Sequence, residues 1–187
     1  MAIIGILLAA GSGSRFGGDK LLALLPEGTP IGIASWKNLA LALPERIAIA
    51  RVGDIALRGI LADEGAQVVT CNDAHIGMSR SLIAGLLATD AADGWVVALG
   101  DMPYIKPSTI KNVSDAIESG ALIAQPTHQG KRGHPVGLSA RLRAELLEVK
   151  GDEGAREIVK RHASDCVLIE CDDPGILRDI DSREDID

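Results

Sequence analysis

A stretch near the amino terminus, Leu8-Ala-Ala-Gly-Ser-Gly-Ser-Arg-Phe-Gly-Gly-Asp-Lys20, has the composition of an anion-binding loop. It follows an apolar run, Ala2–Leu8, that is typical of a buried strand. Small side chains let backbone N–H groups approach an anion closely, and glycine tolerates the positive φ angles that such a wrap requires. Arg15 and Lys20 add two positive charges to the loop. We therefore predict a phosphate cradle at the end of the first strand, where open α/β sheets bind ligands.

The glycine spacing of this loop differs from both common nucleotide-binding fingerprints. Gly11, Gly13 and Gly17 follow G-x-G-x-x-x-G, which is one residue longer than the dinucleotide pattern. The segment from Gly13 onward has the span of a P-loop, but Asp19 stands where that motif has lysine. Dehydrogenase and ATPase functions are therefore disfavoured. The alternative to a phosphate site is an ordinary turn between a strand and a helix, without a ligand.

Two acidic motifs lie far apart in the chain. Asp101, in Leu99-Gly-Asp-Met-Pro103, comes directly after a predicted strand, which places its carboxylate at the edge of the sheet. Mg²⁺ prefers one or two carboxylates together with phosphate oxygens and water, although a turn or helix-cap aspartate would show the same pattern. Asp179-Ile-Asp-Ser-Arg-Glu-Asp185 is, by itself, typical of a solvated tail. If it is extended, Asp179 and Asp181 point to the same side.

The predicted helix start Gly77-Met-Ser-Arg-Ser-Leu82 and the loop Thr127–Ser139 are the other polar segments of interest. Ser79 and Ser81 suit helix capping. The alternative is that their hydroxyls, together with the N–H groups of the helix, bind the base or the ribose of a nucleotide. The loop is rich in glycine and basic residues, and irregular loops of this length in compact domains are more often functional than not.

The elements that position these motifs alternate along the chain. Apolar runs predict strands at Ala2–Leu8, Arg46–Arg51, Gln67–Thr70, Trp95–Leu99, Leu122–Pro126 and Cys166–Glu170. Helical periodicity predicts helices at Ile31–Leu43, Asp54–Glu64, Ser79–Ala88, Pro107–Glu118, Arg141–Val149 and Glu153–His162. This alternation predicts the α/β class, as a Rossmann-like three-layer sandwich whose mostly parallel sheet carries helices on both faces. We expect one domain, residues 1–187.

Composition excludes several classes of partner. A net charge of −7 disfavours binding to duplex nucleic acid, which requires a basic face. Two tryptophans, one tyrosine and one phenylalanine are too few to form a stacking platform for single strands. The amino-terminal apolar run is too short to span a membrane. The three cysteines lack C-x-x-C spacing, which is typical of reduced thiols and favours a cytoplasmic location.

A series of short motifs in chain order resembles the molybdenum cofactor cytidylyltransferases, which share the molybdopterin guanylyltransferase fold. The first loop is similar to the signature L-A-A-G-x-x-x-R-x-G-x-x-K, and Ala10 resembles the cytidylyltransferase branch, where guanylyltransferases typically have glycine. The other similar segments are G-D-M-P (100–103), G-M-S-S-S-L (77–82), G-H-P-V (133–136), G-D-x-G-A-R (151–156) and the closing D-I-D-T-P-E-D (179–185). Arg80 replaces a serine of this pattern and Arg183 replaces a proline.

The resemblance implies transfer of CMP from CTP to the terminal phosphate of the molybdenum cofactor (molybdopterin), with release of pyrophosphate. It implies Lys20, Arg15 and Asp101 as catalytic residues, and Mg²⁺ held by Asp101 and Asp181, with Asp179 in reserve. Binding of the acceptor is assigned to Arg132, His134 and Arg156, whereas Asp152 resembles a helix N-cap. The implied nucleotide-binding residues are Leu8, Ala9, Ala10, Gly11, Ser12, Gly13, Arg15, Lys20, Gly77, Met78, Ser79, Ser81 and Asp101.

Three alternatives remain beside this function. One is a guanylyltransferase on the same cofactor, and another is a transferase acting on a sugar phosphate or a different small phosphate ester. The third is a non-catalytic chaperone that delivers the finished cofactor, which the retention of both metal-ligating carboxylates disfavours. A molybdoenzyme or its maturation factor is a candidate partner in addition to CTP and the cofactor.

Overall fold

One mostly parallel sheet forms the centre of the computed structural model, which describes residues 1–11 and 16–186. Strands β1, β2, β3, β4, β5 and β8 run parallel, and β6 and β7 run antiparallel to them. The order across the sheet is β3-β2-β1-β4-β7-β5-β8, with β6 beside β7 on the same edge of β5. The strands are β1 (Ile3–Leu8), β2 (Arg46–Arg51), β3 (Gln67–Cys71), β4 (Gly94–Leu99), β5 (Ile123–His128), β6 (Lys131–Arg132), β7 (Val136–Ser139) and β8 (Cys166–Glu170).

Helices cover both faces of this sheet. The first core contains buried side chains of α1, α2 and α4, and the second contains those of α3 and α6 together with Leu146 of α5. The helices are α1 (Ile31–Ala42), α2 (Ile55–Asp63), α3 (Met78–Ala88), α4 (Pro107–Glu118), α5 (Arg143–Leu147) and α6 (Arg156–Arg161). The predicted α/β three-layer sandwich is therefore confirmed.

The alternating direction of side chains along the strands explains why there are two cores. In β1, Leu7 packs into the first core, whereas Ile6 and Leu8 pack into the second, because successive side chains of a strand point to opposite faces. All three side chains are buried, as expected for a central strand covered on both sides.

The expectation that Thr127–Ser139 is one irregular loop is wrong. This stretch contains the end of β5, the two-residue strand β6 and the buried strand β7, which lies between β4 and β5. Gly137 is a strand residue here, and a Cβ atom at this position would lie 2.7 Å from Ile117 and 2.8 Å from Val113 of α4. Glycine therefore lets a helix pack closely on the sheet, although in the sequence it resembles a loop residue.

The remaining predicted elements exist, and Arg46–Arg51, Pro107–Glu118 and Cys166–Glu170 have the predicted ends, whereas the ends of the others are shifted. The two predicted carboxyl-terminal helices, Arg141–Val149 and Glu153–His162, are shorter in the structure and are each preceded by a 3-10 turn, at Ala140–Leu142 and Gly151–Glu153. Among the described residues, no helix is long and apolar enough to cross a membrane.

Candidate active site

The carboxyl ends of β1 and β4 lie side by side and bring the two predicted motifs together. Leu8 pairs with Leu99 in parallel register, and the Gly100 N–H donates to the Leu8 carbonyl at 2.9 Å. A Cβ atom at position 100 would lie 3.1 Å from that carbonyl oxygen. Glycine therefore permits this close approach, and Asp101 follows it at the edge of the sheet.

Lys20 lies between the two predicted metal ligands. Its Nζ donates a hydrogen bond of 2.8 Å to Oδ2 of Asp101, and it lies 3.6 Å from Oδ1 of Asp181. The Lys20 side chain is only 11% exposed, against 24% for Asp101 and 51% for Asp181. Three residues from distant parts of the sequence therefore form one charged cluster.

The acidic tail is docked onto the sheet edge and does not extend into solvent. The Ile180 N–H donates to the Asp101 carbonyl at 2.9 Å, and the Ile180 side chain is fully buried in the first core. Asp185 accepts bonds from Ser182 N–H at 2.6 Å and from Asp181 N–H at 3.0 Å. The bonds from Ser182 and the backbone of Asp181 hold the pKa of the Asp185 carboxyl below its usual value. Together these contacts fix the backbone of Asp181 beside Asp101.

The arginine that replaces the family's proline contacts the glycine-rich loop. The Arg183 guanidinium lies over the ring of Phe16, 5.2 Å from its centroid, and Phe16 is buried. Cation–π pairs of this kind are favourable by about 0.5–1 kcal/mol at exposed sites. Arg183 therefore connects the tail to the end of the loop that continues to Lys20.

The start of α3 packs tightly against the segment 151–154. Gly77 has a φ of +146°, and a Cβ atom there would lie 2.5 Å from the Gly151 carbonyl oxygen. Helix α3 has Gly77 at its N-cap and no side-chain cap bond, so neither Ser79 nor Ser81 caps it. Both serines are buried, and the Ser79 hydroxyl has no hydrogen-bond partner among the described residues.

A cavity of about 380 Å³ joins these parts. Its lining includes eight of the predicted nucleotide-binding residues, namely Leu8, Ala10, Gly11, Lys20, Gly77, Met78, Ser81 and Asp101. Leu21, Ala74, His75, Leu99 and Asp152 also line it. Ala9 and Ser79 are buried and do not line the cavity, although their neighbours in the sequence do. The predicted residues Ser12, Gly13 and Arg15 lie outside the described residues.

The predicted acceptor-binding residues do not form one cluster with this cavity. His134 is half-buried, and desolvation lowers its pKa against the opposing effect of the Asp101 and Asp179 carboxylates. Its Nδ1 is buried without a hydrogen-bond partner among the described residues. Arg132 is exposed on β6, and Arg156 is exposed at the start of α6; neither lines the cavity. His134 does not line the cavity either, although the charges of Asp101 and Asp179 act on its imidazole.

Asp173 is a site-organising residue that the sequence analysis did not single out. It is 1% exposed, and its carboxylate accepts bonds from Thr109 Oγ1 at 2.6 Å, Lys106 N–H at 2.9 Å and Gly175 N–H at 3.1 Å. These bonds attach the segment that leads to Asp181 to the loop that follows Asp101. The Asp-Pro-Gly sequence is a turn signal that would have marked it.

The charged cluster fits a divalent cation. Two carboxylates already share one cationic group, the Lys20 ammonium, and carboxylate oxygens are hard ligands of the kind that Mg²⁺ prefers. No group of three or more His, Cys, Asp or Glu side chains suited to a metal is found in the part of the chain that the structure describes. Water and phosphate oxygens would therefore complete the coordination, which is the usual arrangement for Mg²⁺ at phosphate sites.

This fold is that of nucleotidyltransferases, and the chain belongs to the family of the MobA-like NTP transferase domain, whose model matches residues 5–166. The chain is 32% identical to the purine catabolism protein PucB of Bacillus subtilis over 99% of its own length and 94% of that protein. It is 29% identical to the nicotine blue oxidoreductase of Paenarthrobacter nicotinovorans, covering 97% of this chain and 93% of that one.

Solved structures show the same fold. The crystal structure of Rv0371c from Mycobacterium tuberculosis superposes with a TM-score of 0.85 at 26% identity and covers 99% of this chain and 95% of that chain. A second structure of that protein is a complex with manganese, and it superposes with a TM-score of 0.81 at 24% identity over 99% of this chain and 96% of that one. The predicted relationship to the guanylyltransferase fold is confirmed at the level of the family.

Proposed function

We propose that this protein transfers CMP from CTP to the terminal phosphate of the molybdenum cofactor and releases pyrophosphate. The observation that carries the proposal is one cavity lined by Lys20 and Asp101, with Asp181 3.6 Å from the Lys20 ammonium. Ala10 and the start of α3 form other walls of this cavity. A triphosphate requires positive charge and a metal, and a base requires a shaped pocket. The cavity offers both within one space. The motif resemblance supplies the identities of the base and of the acceptor.

The phosphate end of the cavity binds the triphosphate in this proposal. The Lys20 ammonium, which pairs with both carboxylates in the free protein, turns towards the phosphate oxygens when the nucleotide enters. Arg15, outside the described residues, is assigned the second positive charge. Mg²⁺ held by Asp101 and Asp181 would neutralise charge on the triphosphate and on the departing pyrophosphate.

The chemical step is a displacement at the α-phosphorus of CTP. An oxygen of the acceptor phosphate forms the new bond to this phosphorus, and the bond to the bridging oxygen of the β-phosphate breaks, so that pyrophosphate leaves. The acceptor phosphate is already ionised near neutral pH, so no general base is needed to activate it. The protein contributes positioning and stabilisation of charge, as in other phosphoryl transfers.

The acceptor enters, in this proposal, from the side of segment 133–135, between β6 and β7. Desolvation lowers the pKa of His134 in this segment, which favours the neutral imidazole. A neutral imidazole offers one hydrogen-bond donor and one acceptor, and we assign it to binding because the acceptor phosphate needs no general base. Arg132 and Arg156 are assigned to outer contacts of the same acceptor.

Ala10 is assigned to selection of the base. It is buried, lines the cavity and places a methyl group where guanylyltransferases typically have glycine. A narrower pocket disfavours a purine, and the exclusion of a wrong substrate contributes to specificity as much as contacts with the right one. We therefore assign CTP and not GTP.

The test is pyrophosphate release by the purified protein with molybdopterin cofactor and each of the four ribonucleoside triphosphates, with and without Mg²⁺. We expect metal-dependent release with CTP and a product with the mass of molybdopterin cytosine dinucleotide. Preference for GTP would reassign the protein to guanylyl transfer. If pterin fluorescence shows that the cofactor co-purifies with the protein, and no nucleotide gives pyrophosphate, the protein would be a chaperone instead. Release only with a sugar phosphate would overturn the acceptor.

A further inference from the structure

Asp152 has a position that its motif does not explain. Its sequence context resembles a helix N-cap, but helix α6 begins after Ala155 and has no side-chain cap bond. The Asp152 side chain instead lines the cavity that also contains Ala10, Ser81 and Lys20. This carboxylate is therefore available to a ligand of the cavity.

The close packing at Gly77 determines where this carboxylate lies. The segment 151–154 meets the start of α3 so closely that a Cβ atom on Gly77 would lie 2.8 Å from Oδ1 of Asp152. Asp152 and Gly77 therefore form one wall of the cavity. The phosphate end is formed by other segments: the 3-10 turn that begins at Lys20, the loop after β4 that carries Asp101, and the tail that carries Asp181.

A carboxylate on a wall formed by other segments than the proposed metal site faces hydrogen-bond donors of the nucleotide, since without a metal it repels phosphate. The donors of a nucleotide are its ribose hydroxyls and the amino or ring N–H groups of its base. Cytosine presents an exocyclic amino group at the position where uracil presents a carbonyl oxygen. A carboxylate accepts from the first and repels the second, so it discriminates between two bases of nearly the same size.

We infer that Asp152 is the specificity-determining residue that recognises the exocyclic amino group of cytosine. The inference rests on the proposed use of CTP and adds the group that distinguishes CTP from UTP, which the Ala10 methyl cannot do because the two pyrimidines have the same size. Ser81, in the first turn of α3 after Gly77, is a second polar residue that lines the cavity.

The test is the affinity for CTP and UTP measured by calorimetry in the presence of Mg²⁺ and without an acceptor. In the wild type we expect CTP to bind roughly 10-fold or more tightly than UTP, as a hydrogen bond to a charged group gives. Asp152→Asn keeps the shape, but its amide both donates and accepts. The ratio of CTP to UTP affinity should then fall by about 10-fold. Glu153→Gln removes a charge at the neighbouring exposed position, which does not line the cavity, and should leave the ratio unchanged.

A substrate-side measurement makes the test independent of how well the variant folds. The triphosphate of 2-pyrimidinone riboside lacks only the amino group, and it should bind the wild type roughly 10-fold less tightly than CTP does. Equal losses of CTP and UTP affinity in Asp152→Asn would place the contact on the ribose and overturn the inference. So would a wild type that binds CTP, UTP and the pyrimidinone equally. A wild type that binds no nucleoside triphosphate would contradict the proposed function itself, and the two failures are therefore distinguishable.

Discussion

The two ends of the cavity are built on different physical principles. The phosphate end is held by charge, with the Lys20 ammonium between the carboxylates of Asp101 and Asp181. The opposite wall is held by close backbone packing. Gly77 has a positive φ and lies so near Gly151 that a residue with a Cβ atom would not fit. Ion pairs exchange partners when a charged ligand arrives, whereas backbone packing does not. The phosphate end is therefore suited to rearrangement on binding, and the Gly77 wall is suited to fixed recognition.

The largest expected effect comes from the charged end. Asp101→Asn should lower kcat about 10²-fold or more, on the order of 3 kcal/mol of transition-state stabilisation, because it removes one of the two carboxylates that we propose to hold the metal. Asp179→Asn makes the same change of charge at an exposed tail position and should have a much smaller effect. Steady-state rates at saturating Mg²⁺ decide this, and normal turnover by Asp101→Asn would show that the metal assignment is wrong.

At the Gly77 wall the corresponding change is Gly77→Ala. The added Cβ atom would lie 2.5 Å from the Gly151 carbonyl oxygen, at a φ of +146°. We expect a loss of about 1–3 kcal/mol in the free energy of unfolding and weaker binding of CTP. Gly59→Ala is the matched control, since this exposed position in α2 has no atom within 4 Å of the added Cβ. It should stabilise the protein slightly, because alanine favours a helix over glycine. Equal denaturation midpoints for the two variants would contradict the role of shape.

Lys20→Ala separates the two roles of the lysine. Without the ammonium, CTP should bind roughly 10-fold less tightly, because a cation facing the phosphates is lost. The free protein should at the same time bind Mn²⁺ more tightly, because the Asp101 and Asp181 carboxylates no longer pair with the ammonium. Lys37→Ala removes a surface lysine paired with Glu64 at 3.0 Å and should change neither affinity. If Lys20→Ala does not raise the Mn²⁺ affinity of the free protein, the Lys20 ammonium and the metal do not compete for the Asp101 and Asp181 carboxylates.

The smallest expected effect is at Arg183. Arg183→Ala removes the contact with Phe16 and should cost about 0.5–1 kcal/mol in the free energy of unfolding. Arg183→Lys keeps the positive charge and should recover part of the loss. Equilibrium denaturation compares the three proteins, and identical stabilities would mean that this pair does not connect the tail to the loop.

The sequence predicted the meeting of Lys20 and Asp101 better than the placement of Arg132, His134 and Arg156. Lys20 and Asp101 follow apolar strands, and parallel strands must bring their carboxyl ends to one edge, so their meeting was predictable. Asp181 was predicted through the motif resemblance. Its docking depends on the burial of Ile180 and on the buried carboxylate of Asp173, which are tertiary contacts that no local pattern reveals.

Strand β7 was missed for a related reason. Val136-Gly-Leu-Ser139 is short, follows a proline and contains a glycine, all of which are local signals for a loop. Its neighbours, β4 and β5, supply the hydrogen bonds, and α4 requires the glycine for close packing. Asp152 was assigned to a cap because an acidic residue before a helix is usually one. Its place in the cavity depends on the approach of Gly77, more than seventy residues away in the sequence.

Whether Asp101 and Asp181 hold one divalent cation together with the nucleotide is tested most directly by Mn²⁺ titration followed by electron paramagnetic resonance. In the presence of CTP, the wild type should bind one Mn²⁺, and Asp101→Asn and Asp181→Asn should each weaken its binding about 10-fold or more. The double variant should lose clearly less than the sum of the two single losses of free energy, because both carboxylates serve the same ion. Wild-type affinity in Asp181→Asn, or strictly additive losses, would contradict such a shared site.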